Sequence, residues 1–167
     1  MKKFLVSMLA ALLVVCMIVP AVAEGVVLGQ SIFAAHGTKC FAVITVAMDG
    51  DKIAAAHIDE FQMMTAGEAT AVPNSEAMFP IEGKVLGSKR VNAEMYSTNM
   101  QKAGSTVAID ANYDIIEEFV VGMTVADLEA ALEGKTSEEM VDAVSGCTLV
   151  DTLGYLNGIL EAAKNAK

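Results

Sequence analysis

Histidine, cysteine and tryptophan are scarce in this sequence. The chain of 167 residues has two histidines, three cysteines and no tryptophan. His36 and Cys40 are four residues apart, and methionines are frequent, but no tight cluster of histidine and methionine forms a soft-metal motif. Methionine is also a common core residue. We therefore predict no metal site, although Met63, Met64, Met95 and Met100 have the thioethers that copper prefers.

Catalytic motifs and basic residues are also few. No glycine-rich phosphate loop of the Walker or dinucleotide type occurs, and no nucleophile–base arrangement of a hydrolase is legible. The chain has 11 Lys and Arg and 21 Asp and Glu, which gives a net charge of −10. Such a negative surface argues against nucleic acid and anionic lipid as partners. Because no nucleophile–base arrangement is legible, we do not expect a secreted hydrolase.

The one long hydrophobic run lies at the N-terminus. Lys2 and Lys3 precede an apolar run over residues 4–19, which Pro20 ends before the small residues of Ala21-Val22-Ala23. This pattern is typical of a secretory signal peptide over residues 1–23, and the alternative is an uncleaved N-terminal anchor. Residues 24–167 then form a single domain with a net charge of −12 (nine basic and 21 acidic residues). We expect the protein to be exported, to the periplasm, the cell surface or the medium.

Two cysteines remain after the signal peptide, Cys40 and Cys147. In an oxidising compartment they can form a disulfide, and they can equally be two buried thiols. The sequence leaves both alternatives open.

The first half of the domain predicts a β-hairpin. Residues 38–48 are rich in β-branched and aromatic residues, Asp49-Gly50 is a tight-turn signal, and a second strand follows to residue 61. Residues 62–80 lose this periodicity and predict a long loop.

The second half is predicted to be mainly helical. Thr124 begins a helix with a capping box, Leu128 and Leu132 face the core, and Gly134 ends it. The last helix begins near Asp151 or Thr152 and has one apolar stripe. The other predicted elements are helices over 90–103, 112–121 and about 136–140, and a short strand over 106–110. The fold class is therefore α+β, a small antiparallel sheet with an N-terminal β-hairpin, packed by several helices including a C-terminal amphipathic helix.

Polar residue types are concentrated just before the last helix. Asp142, Ser145, Gly146, Cys147 and Thr148 lie within seven residues. Gly146 allows a sharp turn and a close approach of another group. A phosphate on the Thr148 hydroxyl would lie close to a helix N-terminus, where it is favoured. The simpler interpretation is that these are turn and cap residues.

The segment Asp142-Ala-Val-Ser-Gly-Cys-Thr148 resembles the flavinylation motif of the FMN-binding domain family, D-x-x-S/T-G-A-T/S. The hairpin strand over residues 42–46 and the final helix over residues 154–163 are similar to that family in outline. The family includes exported flavin subunits of Rnf-type and sodium-pumping electron-transfer complexes. The resemblance extends from about residue 38 to residue 166, with the middle, about 62–110, unmatched.

This resemblance implies an exported electron carrier with FMN joined to Thr148 by a phosphoester. A separate flavin transferase would attach the FMN, and redox donor and acceptor proteins would exchange electrons with it. Gly146 would help to hold the phosphate, Asp142 and Ser145 would shape the loop or serve transferase recognition, and the Cys147 thiol would lie near the flavin. Association with a membrane or an extracytoplasmic surface stays open.

The sequence departs from the family pattern at three positions. Cys147 replaces the usual Ala, and Val150 and Asp151 replace a Ser or Thr pair. These departures leave open noncovalent FMN, or a non-redox secreted ligand-binding or interaction module that keeps the fold. The adjacent pair Lys89-Arg90 is expected to be solvated, with a role as the cation beside a flavin as the alternative.

Overall fold

The computed structural model describes residues 25–35 and 37–167, so the predicted signal peptide and His36 lie outside the described residues. One antiparallel sheet has the strand order β1-β2-β3-β4, with strands β1 Val27–Phe33, β2 Cys40–Asp49, β3 Lys52–Thr65 and β4 Lys84–Ser88. The helices of the described chain are α1 Ala93–Lys102, α2 Ile109–Val120, α3 Val125–Leu132, α4 Ser137–Ala143 and α5 Thr152–Lys164. The predicted α+β fold is confirmed.

The predicted hairpin is formed by β2 and β3. Gly50 has a φ of 59°, the left-handed conformation that tight hairpin turns require and that glycine adopts without strain. Every second residue of β2 is buried, which places Ala42, Ile44 and Val46 in the core. A register shift at Ala47/Met48 forms a bulge near the turn.

Helix α5 packs on β1 and β2 through glycine contacts. A Cβ on Gly158 would lie 2.3 Å from Ile44 Cδ1, so only glycine fits at this crossing without a shift of its neighbours. A Cβ on Gly154 would lie 3.1 Å from Phe33 Cε1. The expected apolar stripe is confirmed, because Leu156, Ile159 and other α5 side chains are buried. The two glycines thus allow α5 to pack closely on the sheet.

Local signals identified both ends of α3 correctly, whereas the helices predicted over 90–103 and 112–121 begin at Ala93 and Ile109. Thr124 and Asp127 form the predicted capping box of α3, and Gly134 follows that helix with a φ of 68°. Thr136 and Glu139 form a second capping box, so the expected short turn is a seven-residue helix, α4. Among the described helices, none combines the length and the apolar character needed to cross a membrane.

Two local predictions were wrong. Residues 106–110 form no strand, since Ile109 begins α2, where its N–H is capped by Ser97 Oγ at 3.0 Å. The predicted loop over residues 62–80 starts too early, because β3 continues to Thr65 and pairs there with β4. Strands β1 and β4 were not predicted. Both contain glycine, which weakens the sequence signal of a strand.

Candidate functional site

The turn between α4 and α5 gives Thr148 its position. Gly146 has a φ of 90°, a conformation that other residues rarely adopt. The Cys147 N–H donates to the Val144 carbonyl at 3.0 Å and closes the turn. The Thr148 side chain is exposed immediately after it. The sharp turn expected at Gly146 is therefore present.

Asn112 of α2 anchors this turn. Its side chain is fully buried, and its Oδ1 accepts the Thr148 N–H at 2.8 Å. Its Nδ2 donates to the carbonyls of Ala108 at 3.0 Å and Val107 at 3.2 Å. One amide thus joins the start of α2 to a loop 36 residues later. Asn112 was not predicted as a site residue, because an isolated Asn within a helical pattern carries no local signal.

The other predicted site residues have different environments. Asp142 is exposed on α4, and Ser145 is exposed in the turn. Cys147 is buried, with its Sγ 3.1 Å from Thr152 Oγ1, so its thiol faces the core. The structure therefore brings Cys147 and Thr148 together around Asn112, and it places the Asp142 side chain on the surface of α4.

The two described cysteines are not joined to each other. Cys40 Sγ donates to Glu60 Oε1 at 2.8 Å, whereas Cys147 Sγ faces Thr152 and Asn112. Of the alternatives that the sequence left open, the structure has two buried thiols.

Thr148 borders a cleft of about 510 Å³, here named the Thr148 cleft. Its walls come from α1, the α1–α2 turn, the start of α2 and the loop before α5. The lining residues are Tyr96, Met100, Ala103, Gly104, Ser105, Thr106, Ile109, Thr148, Leu149, Val150 and Asp151. This volume falls within the roughly 300–1,000 Å³ of typical cofactor and ligand pockets. Its walls are mostly apolar, with hydroxyl groups at Ser105 and Thr106.

A second cleft, of about 400 Å³ and here named the methionine cleft, shares part of this lining. Tyr96, Met100 and Ala103 border both clefts. The other lining residues are Gln62, Met63, Met64, Thr65, Glu68, Lys84, Met95 and Asn99. The four methionines singled out in the sequence therefore lie along one cleft, although they come from a strand and a helix.

A charged cluster lies in the core beside these clefts. Glu60 Oε2 is 2.5 Å from Lys89 Nζ, and both side chains are fully buried. The same oxygen accepts hydrogen bonds from Tyr155 at 2.6 Å and Tyr113 at 2.8 Å, while Cys40 donates to the other oxygen. Burial alone raises the pKa of Glu60, but the Lys89 charge and the hydrogen bonds outweigh burial and lower it. Burial lowers the pKa of Lys89, and the carboxylate more than reverses this effect, so both groups are charged at neutral pH.

The expectation of a solvated Lys89-Arg90 pair was therefore wrong. Lys89 is in the core, and Arg90 is largely covered. Arg90 Nη1 lies 2.8 Å from Asp114, and its Nη2 lies 2.5 Å from Glu117. Burial by itself disfavours the charged forms of Lys89 and Arg90. Carboxylates from distant parts of the chain offset this cost for both cations.

The burial of Glu60 was not predicted, although strand alternation in the sequence indicates it. Side chains at every second position of a strand share one face. Ile58 and Met64 are buried on the face that also carries Glu60. Extending this alternation through residue 60 would have placed a carboxylate in the core and required a buried partner for it.

Comparisons with known proteins identify no relative of this chain. No family model matches the chain, and no curated protein and no solved structure matches it either. The resemblance to the FMN-binding domain family rests on the Asp142–Thr148 segment and on the outline of the hairpin and the last helix.

Proposed function

We propose that this protein is an exported electron-transfer flavoprotein that carries FMN on Thr148 through a phosphoester. The observation that carries the proposal is the position of Thr148, whose exposed side chain borders a cleft of about 510 Å³. Its backbone N–H is fixed at 2.8 Å from the buried Asn112 amide oxygen. An attachment residue needs both an accessible hydroxyl and a defined position beside the space for its cofactor.

The lining of the Thr148 cleft fits a flavin in size and polarity. Tyr96, Met100 and Ile109 supply apolar surface for a planar ring, and Ser105 and Thr106 supply hydroxyl groups for a polar chain. The lining residues include no Lys or Arg, so the phosphoester charge would be stabilised by water at the open edge of the cleft. Screening by water also weakens its repulsion from Asp151.

In the attachment reaction, this chain would contribute only the hydroxyl of Thr148. Thr148 Oγ1 would form the new oxygen–phosphorus bond, the pyrophosphate bond of FAD would break, and AMP would leave with the bridging oxygen. The hydroxyl proton would pass to the separate flavin transferase. Bound FMN supplies one- and two-electron redox chemistry, and the fold positions it.

The proposed partners follow from this role. A flavin transferase matures the protein, and redox donor and acceptor proteins exchange electrons with it. The acidic surface favours partners with basic contact regions. We propose an extracytoplasmic location for the exchange.

Intact mass spectrometry tests the proposal. The protein is produced with a flavin transferase, exported and weighed, and the expected gain equals FMN minus water. Thr148→Ala removes the gain, Thr148→Ser retains part of it, and Thr98→Ala, which removes an exposed hydroxyl from α1 outside both clefts, leaves it unchanged. A Thr148→Ala protein that keeps its covalent flavin would exclude Thr148 as the attachment residue.

A second candidate function is a non-redox ligand-binding module, which the mostly apolar walls of the Thr148 cleft favour. If this second function is correct, the same experiment gives a folded wild-type protein with unchanged mass and no flavin absorbance. In that case Asp142, Ser145 and Thr148 are turn and helix residues only.

A further inference from the structure

The Glu60–Lys89 pair is an uncommon feature for the core of a small domain. Removing two charges from water costs several kcal/mol for each ion, and apolar residues of similar volume often give equal or greater stability. Here the pair is fully buried and is joined by Tyr113 and Tyr155. A buried ion pair next to a cleft is a candidate for a functional role, and here the geometry places Lys89 against a residue that lines a cleft.

Lys89 is connected to the clefts through Tyr96. Its Nζ lies 4.7 Å from the centroid of the Tyr96 ring, within the range of a cation–π contact. Tyr96 in turn borders both the Thr148 cleft and the methionine cleft. A buried ammonium group thus lies over an aromatic ring that lines both clefts.

The side chains that line the two clefts suit a planar aromatic ligand. Thioethers of methionine are polarizable and make favourable contacts with aromatic rings. Met100 borders both clefts, and Met63, Met64 and Met95 extend the surface beyond Tyr96. Gln62 and Asn99 supply amide groups that could hydrogen bond the edge of a ring.

We infer that Tyr96 is the platform for a redox-active ring that becomes negative on reduction, and that Lys89 raises the reduction potential of this ring. The inference rests on the proposed function, since the ring is the isoalloxazine of FMN attached at Thr148. In a low-dielectric surrounding, a nearby positive charge stabilises added negative charge strongly. Glu60 partly offsets the Lys89 charge, so the two residues act on the potential with opposite signs.

The midpoint potentials of two single variants and of their double variant test this inference. The midpoint potential is measured on covalently loaded protein by a dye-coupled titration that follows flavin absorbance. Lys89→Met makes the potential more negative, Glu60→Gln makes it more positive, and the double variant lies between them. We expect each single change to alter the relative affinity for the reduced ring at least tenfold, which is about 30 mV for a two-electron couple. Lys135→Met removes an exposed charge elsewhere and leaves the potential unchanged.

If the role of the pair is purely structural, the midpoint potentials of both single variants shift in the same direction, or neither potential shifts. Either result overturns the inference. If a single variant fails to fold, Tyr96→Leu decides instead, because it removes the platform and retains the ion pair. We expect its flavin fluorescence to rise as stacking on the tyrosine is lost, and unchanged emission overturns the inference.

The two proposals can fail separately. A wild-type protein that takes up no flavin refutes the proposed function and this inference with it. A wild-type protein that loads flavin on Thr148, but whose potential does not respond to the Lys89 and Glu60 variants, refutes this inference alone.

Discussion

Asn112 Oδ1 accepts a hydrogen bond from the Thr148 backbone N–H across 2.8 Å, so a buried side chain of α2 fixes the loop before α5. The same amide holds two carbonyls ahead of α2. The position of Thr148 thus depends on a residue that lies far away in the sequence and has no contact with solvent.

Asn112→Ala tests this anchor. The change leaves the partly buried Thr148 N–H without its partner, whereas the Ala108 carbonyl still accepts the backbone N–H of residue 112. A buried polar group left unsatisfied costs about 1–3 kcal/mol. We expect the free energy of unfolding in urea to fall by about this amount. Asn99→Ala, a change at an exposed asparagine on α1, serves as the control and is expected to have little effect. Equal effects of the two changes would show that Asn112 is no anchor.

We expect the effects of Lys89→Met and Glu60→Gln on the free energy of unfolding to be strongly coupled. Lys89→Met leaves the buried carboxylate without its counter-ion, which costs about 3–5 kcal/mol. Adding Glu60→Gln removes that charge, so the double variant is more stable than Lys89→Met alone. A double-mutant cycle by urea denaturation measures this coupling. Simple additivity of the two changes would contradict it.

The glycines of α5 form a matched pair for testing the packing on the sheet. Alanine in place of glycine within a helix gains about 1 kcal/mol of helix propensity at either position. At Gly158 the new Cβ would lie 2.3 Å from Ile44 Cδ1, and at Gly154 it would lie 3.1 Å from Phe33 Cε1. We expect Gly158→Ala to lower the melting temperature, since overpacking costs about 1–3 kcal/mol, and Gly154→Ala to be nearly neutral. The reverse order would show that the contact between Gly158 and Ile44 does not limit the packing of α5 on the sheet.

The two capping boxes predict part of the loss of stability in acid. Hydrogen bonds from Thr124 lower the pKa of Asp127 below its ordinary 3.8, and those from Thr136 lower the pKa of Glu139 below 4.5. A carboxyl with a lowered pKa in the folded state stabilises the protein above its unfolded pKa. This stabilisation is lost as the pH falls through the folded value.

Thermal melting between pH 7 and about pH 3 measures this dependence. We expect the wild-type melting temperature to fall below about pH 4.5, and the Asp127→Asn/Glu139→Gln variant to show a shallower decline. Some decline remains, because the pKa of Glu60 is also lowered. Identical slopes for the two proteins would rule out a contribution from the caps.

Several elements could be predicted because their signals are local. Asp49-Gly50 marks the hairpin turn, Thr124 and Asp127 mark a helix start, and the last helix has apolar residues at helical spacing. Each of these signals lies within a few residues of the structure that it determines. Strand β4 was missed because a short strand with a glycine has no clear alternation, and its pairing with the end of β3 stabilises it.

The candidate site was predicted in part. The sequence singled out Gly146 and Thr148, and the structure places them in a sharp turn and beside a cleft. Asn112 was not predicted, since its partner lies 36 residues away. Lys89 was predicted to be solvated, because nothing near it in the chain shows that Glu60 of β3 contacts it.

The sequence by itself determined the secondary structure that short-range contacts specify: the hairpin, the capped helices and the glycine-containing final helix. Only the tertiary structure decided where charge lies in the core and which side chains share a cleft. Hydrogen bonds between neighbours in the chain form with little loss of chain entropy, so local residue types are enough to predict them. The environment of Glu60, Lys89 and Tyr96 depends instead on the packing of strands and helices that are distant in sequence, and it exists only once the whole domain has folded.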